Sequence, residues 1–269
     1  MLTDAIGQDH ARAGNDARIV SLVPSVTELL FALDLGAQVV GRTGFCIHPR
    51  EAVRRVRKLG GTKDVDLEGI RGLAPSHVIV NIDENERPTF EALCEFVPHV
   101  VVTHPNAPED NLALYALIGG IFGREPAAAM LSGRLRTRLD KLRARRAGRP
   151  SRRVVYLIWR EPWMTVSRDT YIARMLELVN WHTLPATSER RYPELTAADF
   201  RAFSPDLCLL SSEPYPFREK HLDEVRGLCG EGTDVQLIDG EMLSWYGSRA
   251  IDGLDYLARL ADARTGQLA

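Results

Sequence analysis

No stretch of the chain approaches the roughly 20 consecutive apolar residues that a membrane-spanning helix requires, so a transmembrane segment is not expected. Excess charge of one sign is missing too: 34 basic and 36 acidic side chains leave a formal net charge of -2. That argues against general nucleic-acid affinity, which needs a basic surface able to displace condensed counterions. Cysteine is scarce, and its four copies (Cys46, Cys94, Cys208, Cys229) lie far apart, with no CxxC pair and no histidines at zinc-finger spacing. Neither a disulfide framework nor a structural zinc site is expected, and the thiols read as reduced. Residues Met1 to Ala17 lack the positive start, apolar core and small-residue cleavage site of a secretory signal. A cytoplasmic protein is therefore expected, or a periplasmic one if the chain is a processed form. Catalytic signatures are also absent: there is no GxSxG elbow, no Walker loop, no GxGxxG after a strand and no HExxH. The expectation is a protein that is not an enzyme.

The chain does contain a duplication. Arg18-Ile19-Val20-Ser21-Leu22 sets a basic residue before a short apolar strand, and Arg153-Val154-Val155-Tyr156-Leu157 repeats the pattern in the second half. A helix-to-strand junction follows in each half. Leu67 through Leu73-Ala74-Pro75-Ser76 leads into His77-Val78-Ile79-Val80, and Asp199 through Phe203-Ser204-Pro205-Asp206 leads into Leu207-Cys208-Leu209-Leu210. Proline ends each helix because it restricts the residue before it and donates no hydrogen bond. Short apolar strands alternating with amphipathic helices predict mainly parallel sheets covered on both faces. The fold class is therefore α/β, with two similar three-layer lobes at 1-123 and 151-269 joined by one long bridging helix within 124-150. That helix is predicted over Pro126 to Ala147. Leu131, Leu135, Leu139 and Leu142 form its apolar stripe, and its arginines read as a solvated face.

In such sheets the ligand-facing loops follow the carboxyl ends of the strands, which singles out the candidate residues. In the first half they are Ser25, Phe45, Cys46, Glu84, Asn85 and His104. Ser25 with Glu28 also reads as a capping box. Cys46, His48, Glu84 and His104 are competent metal ligands, but their spacing matches no ligand motif, and hydrogen-bonding and packing roles stand beside that reading. In the second half the candidates are Trp159, Arg160, Trp163, Tyr192, Glu213, Tyr215, Trp245, Tyr246 and Arg249. Aromatics make up only 7% of the chain, so their gathering in polar, proline-rich loops suggests a bulky ligand that is partly apolar and partly polar. Packing in the core is the competing reading for each ring.

The stretch Arg18 to Leu29, the Gly60-Gly61-Thr62 and Asp66-Leu67-Glu68 pieces, and the Pro75 and Pro205 junctions together resemble the helical-backbone class of periplasmic binding proteins, which includes vitamin B12 and iron-siderophore receptors of ABC importers. The resemblance covers nearly the whole chain from Arg18 onward and points to a signal-less branch. It implies a corrinoid, haem-like or ferric-chelate ligand clasped between the lobes, with no cofactor required and no metal held directly by side chains. It also implies a monomer that docks to an ABC permease through one acidic residue per lobe. Glu68 stands at the first docking position; the second falls at Ala198, with Asp199 beside it. Tyr192 and Trp163 match cobalamin-stacking positions, whereas Thr62 stands where B12 receptors can carry tryptophan. A cytosolic sensor or carrier, and an enzyme acting on a metal chelate, are the alternative functions.

Overall fold

The computed structural model describes residues 2–265, and the side chains of residues 264 and 265 are outside that description. The chain folds as two units. The first comprises residues up to Pro105 with Glu109–Leu135 and Tyr246–Arg249. The second comprises Asn106–Pro108, Arg136–Trp245 and the chain from Ala250 on.

In the first unit the elements run β1 (Ile19–Ser21), α1 (Pro24–Ala32), β2 (Val39–Arg42), α2 (Arg50–Val53), β3 (Arg57–Lys58), α3 (Leu67–Leu73), β4 (His77–Asn81), α4 (Arg87–Cys94), β5 (His99–Thr103) and α5 (Asn111–Ile121). The strands form a parallel sheet in the order β3-β2-β1-β4-β5. β1 and β4 are buried along their full length, as the interior strands of a sheet covered on both faces must be. The exposed edge of β5 is closed by the N-terminal segment. Ala5 N–H donates to Val102 O at 3.0 Å, Val102 N–H donates to the Asp4 carboxylate at 3.0 Å, and His10 pairs with that same carboxylate. Covering the edge in this way prevents it from recruiting another strand.

Helix α6 spans Glu125–Arg146, one residue displaced from the predicted 126–147. The four stripe leucines are all buried. Several of its arginines hold carboxylates of the last helix: Arg138 pairs with Asp255 and Arg145 with Asp262. These contacts favour the solvated-face reading over an anion site.

The second unit contains β6 (Arg152–Leu157), β7 (Trp163–Met164), α7 (Tyr171–Glu177), β8 (Trp181–Thr183), β9 (Glu194–Leu195), α8 (Ala197–Phe203), β10 (Leu207–Ser211), α9 (Leu222–Cys229), β11 (Asp234–Ile238), α10 (Gly240–Ser244) and α11 (Arg249–Thr265). Its main sheet is parallel with order β11-β10-β6-β8. With β6 matched to β1, β10 to β4, β11 to β5 and β8 to β2, this is the order of the first sheet without β3. A separate antiparallel pair joins β7 and β9.

The predicted duplication extends to individual hydrogen bonds. α3 and α8 are both seven residues long and end on a residue in the left-handed region, Ala74 at φ 45 and Ser204 at φ 41, each directly before proline. Carbonyls at such ends have no intrahelical partner. Arg18 donates to Leu73 O through Nε (3.0 Å) and Nη2 (2.8 Å), and Arg153 likewise donates to Phe203 O. The residue after each proline returns the contact: Ser76 Oγ accepts from Arg18 N–H (2.9 Å), and Asp206 Oδ2 accepts from Arg153 N–H (2.6 Å). The basic residue at the start of each first strand, Arg18 just before β1 and Arg153 within β6, is thus the cap of the helix that precedes the next interior strand.

The Ser25 capping box does not form. α1 starts two residues earlier than a Ser25 cap would set it, with Pro24 in the first turn and Val23 as N-cap without a side-chain bond. Proline's fixed φ suits that first position, and it moves Ser25 too far into the helix to cap it. The capping box belongs instead to α8, where Thr196 and Asp199 bond reciprocally.

At the opposite edge from the carboxyl-end loops, His77 stacks on His99 at 4.7 Å and meets Phe122 edge-on. Burial first, then the nearby His99 and His10, lower its pKa from 6.5 to about 4. The unfolded chain therefore takes up this proton before the folded one, so stability is full above pH 6.5 and declines as pH falls from 6.5 towards 4. Urea denaturation at a series of pH values should show this acid limb, and His77→Gln should flatten it.

Candidate functional site

In each unit the connections leave two adjacent interior strands in opposite directions, a switch point beyond whose carboxyl ends ligands bind in open α/β sheets. In the first unit these strands are β1 and β4, with β2 and β5 beside them.

The loop after β2 is anchored by Cys46, which is fully buried. Thr27 Oγ1 donates to its sulfur at 3.0 Å, and Thr43 Oγ1 lies 3.2 Å away. Burial raises the thiol's pKa, which keeps it protonated. With Cys46 turned inward its neighbours are left at the surface, Phe45 at 62% and Ile47 at 44% exposure. Beyond β4 the turn is fixed by Asn85: its Oδ1 accepts from Asn81 N–H at 2.9 Å, and its Nδ2 donates to Thr62 O at 2.9 Å and Leu22 O at 3.4 Å. Asn85 therefore ties three backbone segments together and leaves Ile82 at the surface, 46% exposed.

Next in this turn, Glu84 accepts the Tyr246 hydroxyl proton at 2.5 Å. Tyr246 is buried, and burial followed by the Glu84 charge raises its pKa. His104 lies 3.4 Å from Asp83. Arg249 grips Glu28 in a two-pronged pair at 2.9 and 2.8 Å, the planar geometry that guanidinium and carboxylate favour. Cys46, His48, Glu84 and His104 do not form a ligand set; among the described residues no three His, Cys, Asp or Glu side chains gather to hold a metal ion.

In the second unit the loop after β6 folds back on itself through Ile158 N–H to Met164 O (3.0 Å) and Met164 N–H to Trp159 O (3.1 Å). Trp159 stays 41% exposed and rests on the edge of Tyr215, ring centroids 5.7 Å apart. Tyr215 leans on Phe217 at 4.7 Å, Phe217 stacks on Trp163, and Trp163 meets Phe200. Trp163 and Tyr215 thus pack against the apolar core, while Trp159 forms the cluster's outer face. Arg160 is held by Glu224 at 3.1 and 3.0 Å and by Glu161 at 2.6 Å. Tyr192 is at the surface, in the segment before β9.

After β10, Glu213 accepts from Ser244 Oγ (2.6 Å) and Trp245 Nε1 (2.7 Å). Burial is the main cause of a raised Glu213 pKa, reinforced by Glu241 and Asp239. Trp245 is buried, so its indole N–H serves this carboxylate. Of the expected docking residues, Glu68 is exposed and 3.6 Å from Arg71. Asp199 accepts from Thr196 N–H and Oγ1, both at 2.7 Å, which lowers its pKa.

Of the residues singled out in the sequence, the structure places Phe45, Trp159 and Tyr192 at the surface, whereas Cys46, Trp245 and Tyr246 are interior and Asn85, Glu213 and Arg249 make internal bonds. Ile47 and Ile82 were not singled out. For Ile47 the sequence holds a signal, the alternation of Phe45-Cys46-Ile47 about a buried centre; for Ile82 the turn made by Asn81 and Asn85 decides.

Residues 19–227 match the periplasmic binding protein family. The chain belongs to that family. A relative from Bacillus subtilis (strain 168), an uncharacterized ABC transporter substrate-binding lipoprotein, is 24% identical over 96% of this chain and 83% of its own length. Among solved structures, the vitamin B12 binding protein BtuF of Vibrio cholerae superposes with a TM-score of 0.79 at 17% identity, covering 91% of this chain and 96% of that one. The heme-binding protein RhuT from Roseiflexus sp. RS-1 superposes at 0.73 with 23% identity, covering 92% and 99%. These likenesses identify the same fold, and among the described residues no helix is long and apolar enough to cross a membrane.

Two outcomes follow from the burial pattern. Trp245→Ala and Tyr246→Ala should each cost about 3–5 kcal/mol in urea unfolding, as emptied aromatic core sites do, while Phe45→Ala should stay within about 0.5 kcal/mol. For Glu213 the folded state holds the proton to higher pH than the unfolded chain, so stability is full below the ordinary value of 4.5 and falls as pH rises through the folded value. Glu213→Gln keeps an acceptor without the charge; its stability relative to the parent should improve with pH above 4.5 and then level off.

Proposed function

We propose that this periplasmic binding protein is the substrate-binding component of an ABC importer and that its cargo is a corrinoid, haem or ferric chelate. One observation carries the reading. Phe45, Ile47 and Ile82 in one unit, and Trp159 in the other, leave large apolar surface in water on segments that follow the carboxyl ends of parallel strands, and Tyr192, before β9, is exposed as well. Such residues offer rigid contact area to a ligand with a broad apolar face. The relatives that bind vitamin B12 and heme support this class of cargo, and the lipoprotein relative supports an importer and a periplasmic or membrane-tethered setting over a cytoplasmic one. Glu68, exposed at the start of α3, suits a permease contact, whereas Asp199 is engaged by Thr196. Binding without chemistry fits Glu213, which would be the natural acid or base but is occupied by Ser244 and Trp245.

The test is thermal shift and absorbance titration with haemin, cyanocobalamin and ferric siderophores. At least one should bind saturably and raise Tm, because a ligand selective for the folded state stabilises it by mass action. Phe45→Ala and Trp159→Ala should weaken that binding about tenfold or more, the scale of an aromatic contact worth roughly 1.4 kcal/mol, with unfolding curves little changed. No response to any of the three ligand types would defeat the proposal.

A further inference from the structure

Between Arg42 and Lys58 the chain carries six cationic side chains (Arg42, Arg50, Arg54, Arg55, Arg57 and Lys58) and one carboxylate, Glu51, which leaves 28 basic and 35 acidic side chains for the rest of the sequence. Positive charge is thus concentrated in one stretch of a chain that is otherwise acidic. The fold holds this stretch firmly. The buried Arg42 donates from Nε to Val53 O at 3.2 Å and from Nη1 to Thr43 O at 3.0 Å. Val53 N–H donates to Pro49 O at 3.0 Å, and Leu59 N–H donates to Arg42 O at 2.9 Å. With α2 and β3 fastened in this way, Arg50, Arg54, Arg55, Arg57 and Lys58 are all exposed. Glu51 is matched to Arg54 at 3.2 Å, and the strip has no second carboxylate. Cations on a short edge strand discourage strand addition, which accounts for Arg57 and Lys58 on β3. It does not account for Arg50, Arg54 and Arg55, which lie on α2 and the turn after it. The second sheet has no counterpart of β3, so the strip is an addition to one unit and not part of the repeated scaffold.

We propose that the strip from Arg50 to Lys58 is a contact surface for a bilayer containing anionic phospholipid. Charge complementarity calls for an anionic partner, and the composition of the strip decides its kind. Among the described residues, no large hydrophobic side chain between Arg50 and Lys58 is exposed. Protein interfaces are organised around buried aromatic or aliphatic anchors, and the strip offers none. A headgroup layer is instead a diffuse array of phosphates that asks only for long cationic side chains beside it, each raising affinity about fivefold. Arginine, which supplies all of the exposed cations here except Lys58, meets phosphate oxygens through its planar fork of donors. The choice of a bilayer over a nucleic acid rests on the importer reading proposed above, which puts this protein beside a membrane. Contact of this kind raises the protein's effective concentration near a permease.

The experiment is co-sedimentation of the full chain with phosphatidylcholine vesicles, with and without phosphatidylglycerol, over a salt series. Binding should require phosphatidylglycerol and fall steeply with salt, because exposed charges are screened. The triple variant Arg55→Gln, Arg57→Gln, Lys58→Gln should lose about a hundredfold in that affinity. Arg134→Gln, Arg136→Gln, Lys141→Gln removes the same charge from exposed positions on α6 and should lose far less. Vesicle binding is read without cargo, so a failed cargo titration leaves this test standing, and cargo binding without vesicle binding overturns this proposal alone. Equal binding to the two vesicle types, or equal loss in the two variants, would overturn it. So would tighter retention on duplex DNA or immobilised polyglutamate than on the phosphatidylglycerol vesicles. If the strip variant does not fold, the single replacement Arg55→Gln decides, with a loss of about fivefold expected.

Discussion

Two parallel neighbours cannot be joined by a tight turn, so each connection must cross a face of the sheet, usually as a helix. All carboxyl ends of the strands then lie along one edge and all amino ends along the other. In both units that constraint separates two kinds of residue. The amino edge carries the repeated apparatus of Arg18 with Leu73 and Ser76, and of Arg153 with Phe203 and Asp206, which satisfies helix ends and fixes how each helix feeds its strand. The carboxyl edge carries loops that differ between the units. The duplication is thus strongest where its hydrogen bonds serve folding, and it disappears where a surface is free to specialise.

Half-buried carboxylates explain why several aromatics lie inside. An ionised carboxyl group taken out of water is costly unless donors replace the solvent. Glu84 has the Tyr246 hydroxyl, and Glu213 has the Trp245 indole and the Ser244 hydroxyl. Each ring brings an apolar body for packing and one polar atom for the carboxylate, so a loop bearing a glutamate can close over the core. Arg249 with Glu28 and Arg160 with Glu224 use paired bonds for the same purpose.

Features set by periodicity and backbone restriction were legible in the sequence. The apolar runs from Ile19, His77, Val154 and Leu207, the leucine stripe of α6, and the Pro75 and Pro205 junctions all occur where pattern alone puts them. Side-chain direction in the loops was not legible. Ser25 looked like a cap because serine with glutamate three residues on has that pattern, but Pro24 already occupied the first turn. Trp245 and Tyr246 looked like surface rings because their segment is polar, and only the positions of Glu213 and Glu84, more than thirty residues away, turn them inward. Contacts at such separation leave no trace in local composition. The exposed residues Phe45 and Trp159 were found because an aromatic in a short loop after a strand has few neighbours to cover it.

The two units carry different exposed surfaces beyond the carboxyl ends of their strands. The first presents aliphatic branches and one phenyl ring around the inward Cys46. The second presents an indole supported edge-on by Tyr215, with the whole row backed by Phe217 and Trp163. Charge at these loops is largely matched within the protein: Arg160 by Glu224 and Glu161, Arg249 by Glu28. Apolar contact is non-directional and scales with area, so such surfaces favour breadth and flatness in a ligand more than any particular arrangement of its polar groups. Selectivity on a surface of this kind depends on shape and on the rigidity of its rings. In the second unit that rigidity comes from the aromatic row, supported by His221, just before α9, and by Glu224 within it through Arg160.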